Sequence, residues 1–190
     1  MTTAVYRTMR EAVFELAEAA PDYAVELDDT GVHLLMPPVN RHELAVLLTQ
    51  RRLTPQLGED EAAHAGGEID APELGRVRRP DLVVIPIEAL TRQGYLSPSD
   101  VELVMEVVSK PNPENDWVNK TADYPAMGIP VYVIVDPRTS SVTVFEDPGP
   151  TGEGTRYRSR RDYTFGETVT AGPYTLDTKG FMPYDDDGDV

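Results

Sequence analysis

The sequence predicts an α+β, or mixed α/β, fold with one central mixed β-sheet and helices on its faces. Three observations predict it. The chain has 190 residues, of which 40% are apolar, enough for the core of one domain. Short apolar runs in "RRPDLVVIPIEAL", "SPSDVELVMEVVS" and "VYVIVDP" are nearly continuous, as expected of strands covered on both faces. The elements also run helix, hairpin, helix, strands, helix, strands, an order that layers helices against a sheet.

The first helix is expected over residues 6–19, where Val13, Phe14, Leu16, Ala17 and Ala20 recur at helical spacing. "YAVELDDTGVHLLMPP" reads as a hairpin turning at Gly31 and stopped by Pro37 and Pro38. "NRHELAVLLTQRRL" reads as a second helix capped by Asn40, with Glu43 three residues on. Residues 58–75 are acidic and glycine-containing, so a loop with at most an edge strand is expected there. Strands follow around Leu82–Ile85 and Val104–Val108. A third helix should be capped by Asn112, start at Pro113 and end at Gly128 and Pro130, with Pro125 disturbing its last turn. "SVTVFED", "TRYRSRRDYTF" and a segment near "PYTLD" complete the strands. One domain over residues 1–177 and an acidic, flexible tail over residues 178–190, ending "YDDDGDV", are expected.

Composition excludes several chemistries. The absence of cysteine removes disulfides, thiolate zinc sites and a thiol nucleophile. No run of about 20 apolar residues predicts a membrane span, and no secretory pattern opens the chain, so no membrane partner and a cytoplasmic location are expected. The formal net charge of −16 argues against non-specific polyanion binding. Basic clusters at Arg51–Arg52, at Arg76, Arg78 and Arg79, and at Arg156, Arg158, Arg160 and Arg161 could still line a groove. In an extended strand Arg156, Arg158 and Arg160 would share one face; the alternative is a solvated edge strand defended by charge.

The chemistry lies in acids on apolar strands. Glu106 sits inside Val104-Met105-Glu106-Val107-Val108, and Asp81 stands at the mouth of its own strand. A buried carboxylate needs a cation, donors or a shifted pKa. If the two strands are neighbours, two like charges meet, and a divalent metal resolves the repulsion. Oxygen ligands without cysteine or clustered histidine suggest Mg²⁺ or Mn²⁺. The alternative is a salt bridge to Arg78, Arg79 or Lys110. Asp116 and Lys120, four apart, share a helix face. They form either a surface ion pair worth under about 1 kcal/mol or a pair in which Lys120 points back at the sheet end. His42, near a helix start, reads on its own as a structural residue.

Together "RRPDLVVIP", "VELVMEVVS", "DWVNKTADYPAMGIPVYVIVDP" and, more weakly, "YAVELDDTGVHLLMPP" with "RHELAVLL" resemble the Uma-two-like "putative restriction endonuclease" family of the PD-(D/E)XK nuclease superfamily. The likeness spans roughly residues 10 to 147. It implies a restriction-endonuclease-like core of four to five strands with flanking helices, and a homodimer. It implies that Asp81 and Glu106 are metal ligands, with the backbone carbonyl of Val107 as a third. The usual motif lysine falls at Val108, whereas Lys120 matches a lysine that the family carries in the following helix. Asp116, Tyr124, Glu26 and His42 match recurrent positions of accessory role. Lys110, also a candidate accessory residue, and Pro125 depart from the pattern. The resemblance implies metal-dependent phosphodiester hydrolysis with nucleic acid as substrate, DNA before RNA. The competing reading keeps the fold without the chemistry, as an interaction or regulatory protein, which the acidic charge and Val108 favour.

Overall fold

A computed structural model describes residues 3–37, 39–152 and 154–185. The chain opens with α1, Thr3–Ala19, which buries Tyr6 and Val13. The expected apolar stripe is narrower in the fold, since Phe14 remains about half exposed. The hairpin β1, Ala24–Asp28, and β2, Gly31–Leu35, pairs antiparallel. Gly31 supplies the turn at φ 136°, a region open chiefly to glycine. Pro38, one of the two stops expected for this strand, lies outside the described residues. Next comes α2, Asn40–Leu53. Asn40 is its first residue, not its cap. Val39 holds the cap position without a side-chain bond, and its carbonyl accepts from the Glu43 amide at 3.1 Å.

The expected loop at 58–75 contains two strands, β3, Glu61–Ala65, and β4, Ile69–Ala71, before β5, Arg76–Arg78. The pairing is tertiary. β3 lies along β6, Leu82–Pro86, and β4 along β5, so sheet contacts override an acidic, loop-like composition. β7, Leu103–Val107, is wholly buried. The third helix is built in two parts, a π-helical turn over Asn115–Lys120 and α3, Thr121–Ala126. Pro125 ends the regular helix as expected, and Gly128 turns away at φ 81°. β8, Val131–Asp136, follows, then the long hairpin of β9, Ser141–Thr151, and β10, Gly154–Thr164. A small hairpin, β11, Thr168–Ala171, and β12, Tyr174–Asp177, comes last.

The central sheet has six strands in the order β10-β9-β8-β7-β6-β3, and it is mixed because β7 and β8 run parallel. A four-stranded sheet, β2-β1-β5-β4, stands beside it. α2 buries Ala45, Val46 and Leu53 against one face of the central sheet, with Met105, Val107, Val133 and Val135. Tyr124 covers the other face, with Val104, Val108, Tyr132 and Ile134. α1 packs on the smaller sheet through Tyr6, Val13, Val25, Leu27 and Val77.

The expected flexible tail is corrected for residues 178–185. Thr178, Phe181 and Tyr184 are buried, and the Tyr184 hydroxyl donates to the Val108 carbonyl at 2.8 Å. The aromatic pair in this segment gives it apolar area to bury, which an all-acidic tail lacks. Asp186–Val190, the rest of that tail, lie outside the described residues.

Candidate active site

β6 and β7 are antiparallel neighbours, with Leu82 opposite Met105. One step further, Asp81 faces Glu106, because the register is fixed by the ladder. Directly opposed side chains of an antiparallel pair lie on one face, about 5 Å apart at Cβ. Asp81 stands at the strand mouth, where its Oδ2 accepts the Val107 amide at 2.7 Å and meets His42 Nε2 at 3.1 Å. α2 delivers His42 from the opposite layer. Its Nδ1 is buried without a hydrogen-bond partner among the described residues.

Glu106 is 2% exposed. Its Oε1 receives the Tyr124 hydroxyl and lies 2.9 Å from Lys120 Nζ. Lys120 is itself 3% exposed. Its ammonium also lies 3.3 Å from Glu26 and 3.3 Å from Asp116. The surface-pair reading of Asp116 and Lys120 is therefore overturned, because the pair is buried and shared with two further acids. The π-helical turn contributes to this geometry. It adds a residue to the turn and leaves the Asp116 carbonyl to accept from the Thr121 hydroxyl at 3.0 Å and the Tyr132 hydroxyl at 2.9 Å.

Glu26 links this cluster to the smaller sheet. Its Oε2 accepts from Arg78 at 2.9 Å and from the Asn115 amide at 3.3 Å, and its Oε1 accepts the Arg79 amide at 3.2 Å. Arg78 is buried and also binds Asp123 at 2.6 and 2.9 Å. Arg76 binds Asp29 at 2.6 Å and Asp123 at 3.1 Å. These contacts correct the placing of Arg76 and Arg78 in a phosphate-binding cluster: Arg78 is sealed inside, and both guanidiniums are committed to carboxylates. Arg79 lies 3.7 Å from Glu68. Arg156, Arg158 and Arg160 are exposed on β10. Arg158 is paired with Asp147 at 2.5 Å and Arg160 with Asp162 at 2.9 Å. Lys110 is exposed and binds the Asp185 carbonyl at 2.5 Å, so it is not among the cations holding Asp81 and Glu106. The partners of those two acids are His42 and Lys120, rather than Arg78, Arg79 or Lys110.

The electrostatics follow from burial and charge count. Burial, with Asp81, Asp116 and Glu26 nearby, holds the Glu106 carboxyl well above the usual range despite Lys120. Burial likewise raises Asp116 to about 6. For Glu26, burial is outweighed by Lys120 and Arg78, which hold it low. For Asp81, burial is outweighed by His42, Lys120 and the Val107 amide, so it too is held low. Burial would depress Lys120, yet the acids raise it well above its ordinary value. His42 is raised by Asp81 against the opposing effect of burial. The cluster is thus short of positive charge, and protons or another cation must supply it.

Glu106, Asp116 and His42 therefore bind protons more tightly folded than unfolded. Each contributes stability fully present below its unfolded pKa and lost as pH rises through its folded one. In EDTA the unfolding free energy is expected to fall from about pH 5 to about pH 8, by on the order of 1–3 kcal/mol. Glu26, Asp81 and Asp28 are held low. Their contribution is present above the ordinary carboxylate range and lost only in more acidic solution. Urea unfolding across that interval checks the slope, and a rising profile would contradict the charge state of the cluster.

The donor set is consistent with a divalent cation. Among the described residues, no bond is made by Asp81 Oδ1 or Glu106 Oε2, so each acid keeps one oxygen unspent. No group of three His, Cys, Asp or Glu side chains is gathered for a metal among those residues. Mg²⁺ does not require one, since it is commonly bound by one or two carboxylates with water and substrate oxygens. No helix among the described residues is long and apolar enough to cross a membrane.

The sequence did not single out Asn115, Asp123 or the buried Asp28. Their signal, polar residues on faces that turn inward, exists only once the smaller sheet is placed.

Residues 10–176 match a family model, Uma2, described as "Putative restriction endonuclease". Among solved structures, the chain is similar to one described as a "putative nuclease belonging to DUF820" from Anabaena variabilis ATCC 29413. The TM-score is 0.57 at 13% identity, covering 77% of this chain and 80% of that one. At that identity the likeness shows the fold. No curated protein matches the chain.

Proposed function

The chain belongs to the Uma2 family, and on that premise we propose that it is a metal-dependent nuclease hydrolysing phosphodiester bonds in nucleic acid, DNA in particular. One observation carries the reading. Asp81 and Glu106 meet at one end of the central sheet, each with an unspent oxygen, beside a buried lysine held by Glu106, Glu26 and Asp116. A structural protein gains little from concentrating uncompensated acids there.

Asp81, Glu106 and the Val107 carbonyl would hold Mg²⁺ or Mn²⁺. Such an ion supplies Lewis-acid polarisation of a phosphate oxygen and acidifies water. The remaining work falls to this chain's residues. His42 and the Val107 amide engage Asp81 Oδ2 and so fix the orientation of the carboxylate. Tyr124 fixes the Glu106 carboxyl. Lys120 helps hold Glu26 and Asp81 in the low, ionised range and offers positive charge where the transition state gathers negative charge. Glu26 and Asp116 position Lys120. A homodimer in the cytoplasm completes the proposal.

The test offers mixed single- and double-stranded DNA and RNA to the purified chain with Mg²⁺, Mn²⁺ or EDTA, alongside an Asp81→Asn control. Cleavage with either ion, absent in EDTA and in the control, is expected. A well-folded wild-type chain that cleaves no substrate with either ion would instead support a non-catalytic interaction protein.

A further inference from the structure

We propose that Arg41 and Lys110 form a subsite for a backbone phosphate of the substrate strand, and that the chain's own C-terminal segment covers this subsite through Asp185. The proposal rests on the nuclease reading above.

The segment is anchored by Tyr184. Its ring is buried, its hydroxyl donates to the Val108 carbonyl at 2.8 Å, and its amide donates to the Pro137 carbonyl at 3.1 Å. Phe181 packs edge-on to Phe165 at 5.5 Å. From these anchors the chain delivers Asp185 to two cations. The Arg41 guanidinium pairs with the Asp185 carboxylate and donates to the Pro183 carbonyl. The Lys110 ammonium donates to the Asp185 carbonyl at 2.5 Å and lies 5.6 Å from the Tyr184 ring centre.

The location connects this contact to the site. Arg41 directly precedes His42, which binds Asp81. Val108 follows Val107, whose amide binds Asp81, and Lys110 is two residues further on. The segment therefore crosses the same end of the sheet at which Asp81 and Glu106 meet. A guanidinium and an ammonium converging on one acidic residue can receive a phosphate in its place.

Charge makes the pair distinctive. Arg76 and Arg78 are bound to Asp123 of α3, and Arg158, Arg160 and Arg161 to acids of β9 and β10. Arg41 and Lys110 are instead bound to the segment 183–185, which among the described residues lies outside every helix and strand. The Asp185 side chain is 61% exposed. An ion pair that open to water is weak, and a polyanionic strand can displace it. In sequence, Asp185 is followed by three further aspartates, Asp186, Asp187 and Asp189.

The experiment measures binding of a fluorescent DNA duplex, and of its single strand, in EDTA, where no turnover occurs. The full-length chain carrying Asp185→Asn, Asp186→Asn, Asp187→Asn and Asp189→Asn is compared with wild type. A control carries the same charge change on α1 and just beyond it, through Glu11→Gln, Glu15→Gln, Glu18→Gln and Asp22→Asn, all at exposed positions. The tail-neutral chain is expected to bind about tenfold tighter than the control. Adding Arg41→Gln and Lys110→Gln should remove that gain and flatten the logarithmic salt dependence by about 0.9, the value for one phosphate contact. Equal affinity of the tail-neutral and control chains, a gain that survives both glutamines, or no binding by any chain overturns the subsite. A gain seen in a protein that cleaves nothing with Mg²⁺ or Mn²⁺ sinks the nuclease reading and leaves the subsite standing. Cleavage by wild type without the gain does the reverse.

Discussion

Glu106→Gln is expected to lower cleavage by at least about 10²-fold, the scale of losing one preorganised electrostatic contact, while leaving the fold nearly as stable. The asymmetry comes from the environment of the residue. Burial and neighbouring acids already hold its carboxyl well above the usual range. Glutamine copies the shape of the protonated form and can still accept from the Tyr124 hydroxyl and from Lys120. The penalty of a charged Glu106 at high pH would vanish, so the decline of stability from about pH 5 to about pH 8 should flatten in the variant. Calorimetric titration with Mn²⁺ should show weaker binding, because the amide oxygen is neutral. Cleavage equal to wild type, with Mn²⁺ binding unchanged, would make Glu106 a structural residue. Its mid-strand position would then need only Lys120 and Tyr124 as explanation.

The strands that position the site were legible because they are apolar runs, and apolar runs announce burial. The nearness of Asp81 and Glu106 was expected from treating those runs as neighbours, and the ladder of the two strands stops one step short of them, at Leu82 opposite Met105. The acid-lined cluster beyond them was only partly legible. Glu26, His42, Asp116 and Tyr124 came from resemblance, since nothing in their local spacing marks them as inward-facing. Arg78 misled for a physical reason. In sequence it belongs to a basic run that looks solvated, but β5 pairs with β1 and turns it toward Glu26 and Asp123. Long-range pairing of short strands decides that orientation, and composition carries no trace of it. The π-helical turn was equally hidden. Asn112 and Pro113 mark a helix start, but the widening over Asn115–Lys120 answers to packing on Tyr132 and Glu106.

Lys120→Met should destabilise the fold by about 3–5 kcal/mol at neutral pH in EDTA, the cost of removing one partner from a buried ion cluster. The spacing of Asp116 and Lys120 alone would put the cost under about 1 kcal/mol, so the measurement separates the two readings cleanly. Lys120 lies 2.9 Å from Glu106, 3.3 Å from Glu26 and 3.3 Å from Asp116. Methionine fills most of the volume, so the loss reports charge rather than a cavity. The variant leaves three carboxylates facing one another with Arg78 as the remaining cation on Glu26. Their pKa values must rise further. A carboxylate raised on folding contributes stability fully present below its unfolded pKa, and that contribution disappears as pH climbs through the folded value. The deficit should therefore be small near pH 5 and grow toward pH 8. Adding Glu106→Gln removes one of the stranded charges and should recover part of the loss, since residues in contact do not act additively. Urea unfolding of wild type, both single variants and the double variant at about pH 5.5 and 8 provides the comparison. A Lys120→Met cost below about 1 kcal/mol at the higher pH, or no recovery in the double variant, would show that Lys120 does not hold these acids together. Activity should be lost in Lys120→Met even at the lower pH where the fold recovers, which separates the catalytic contribution of the ammonium from its structural one.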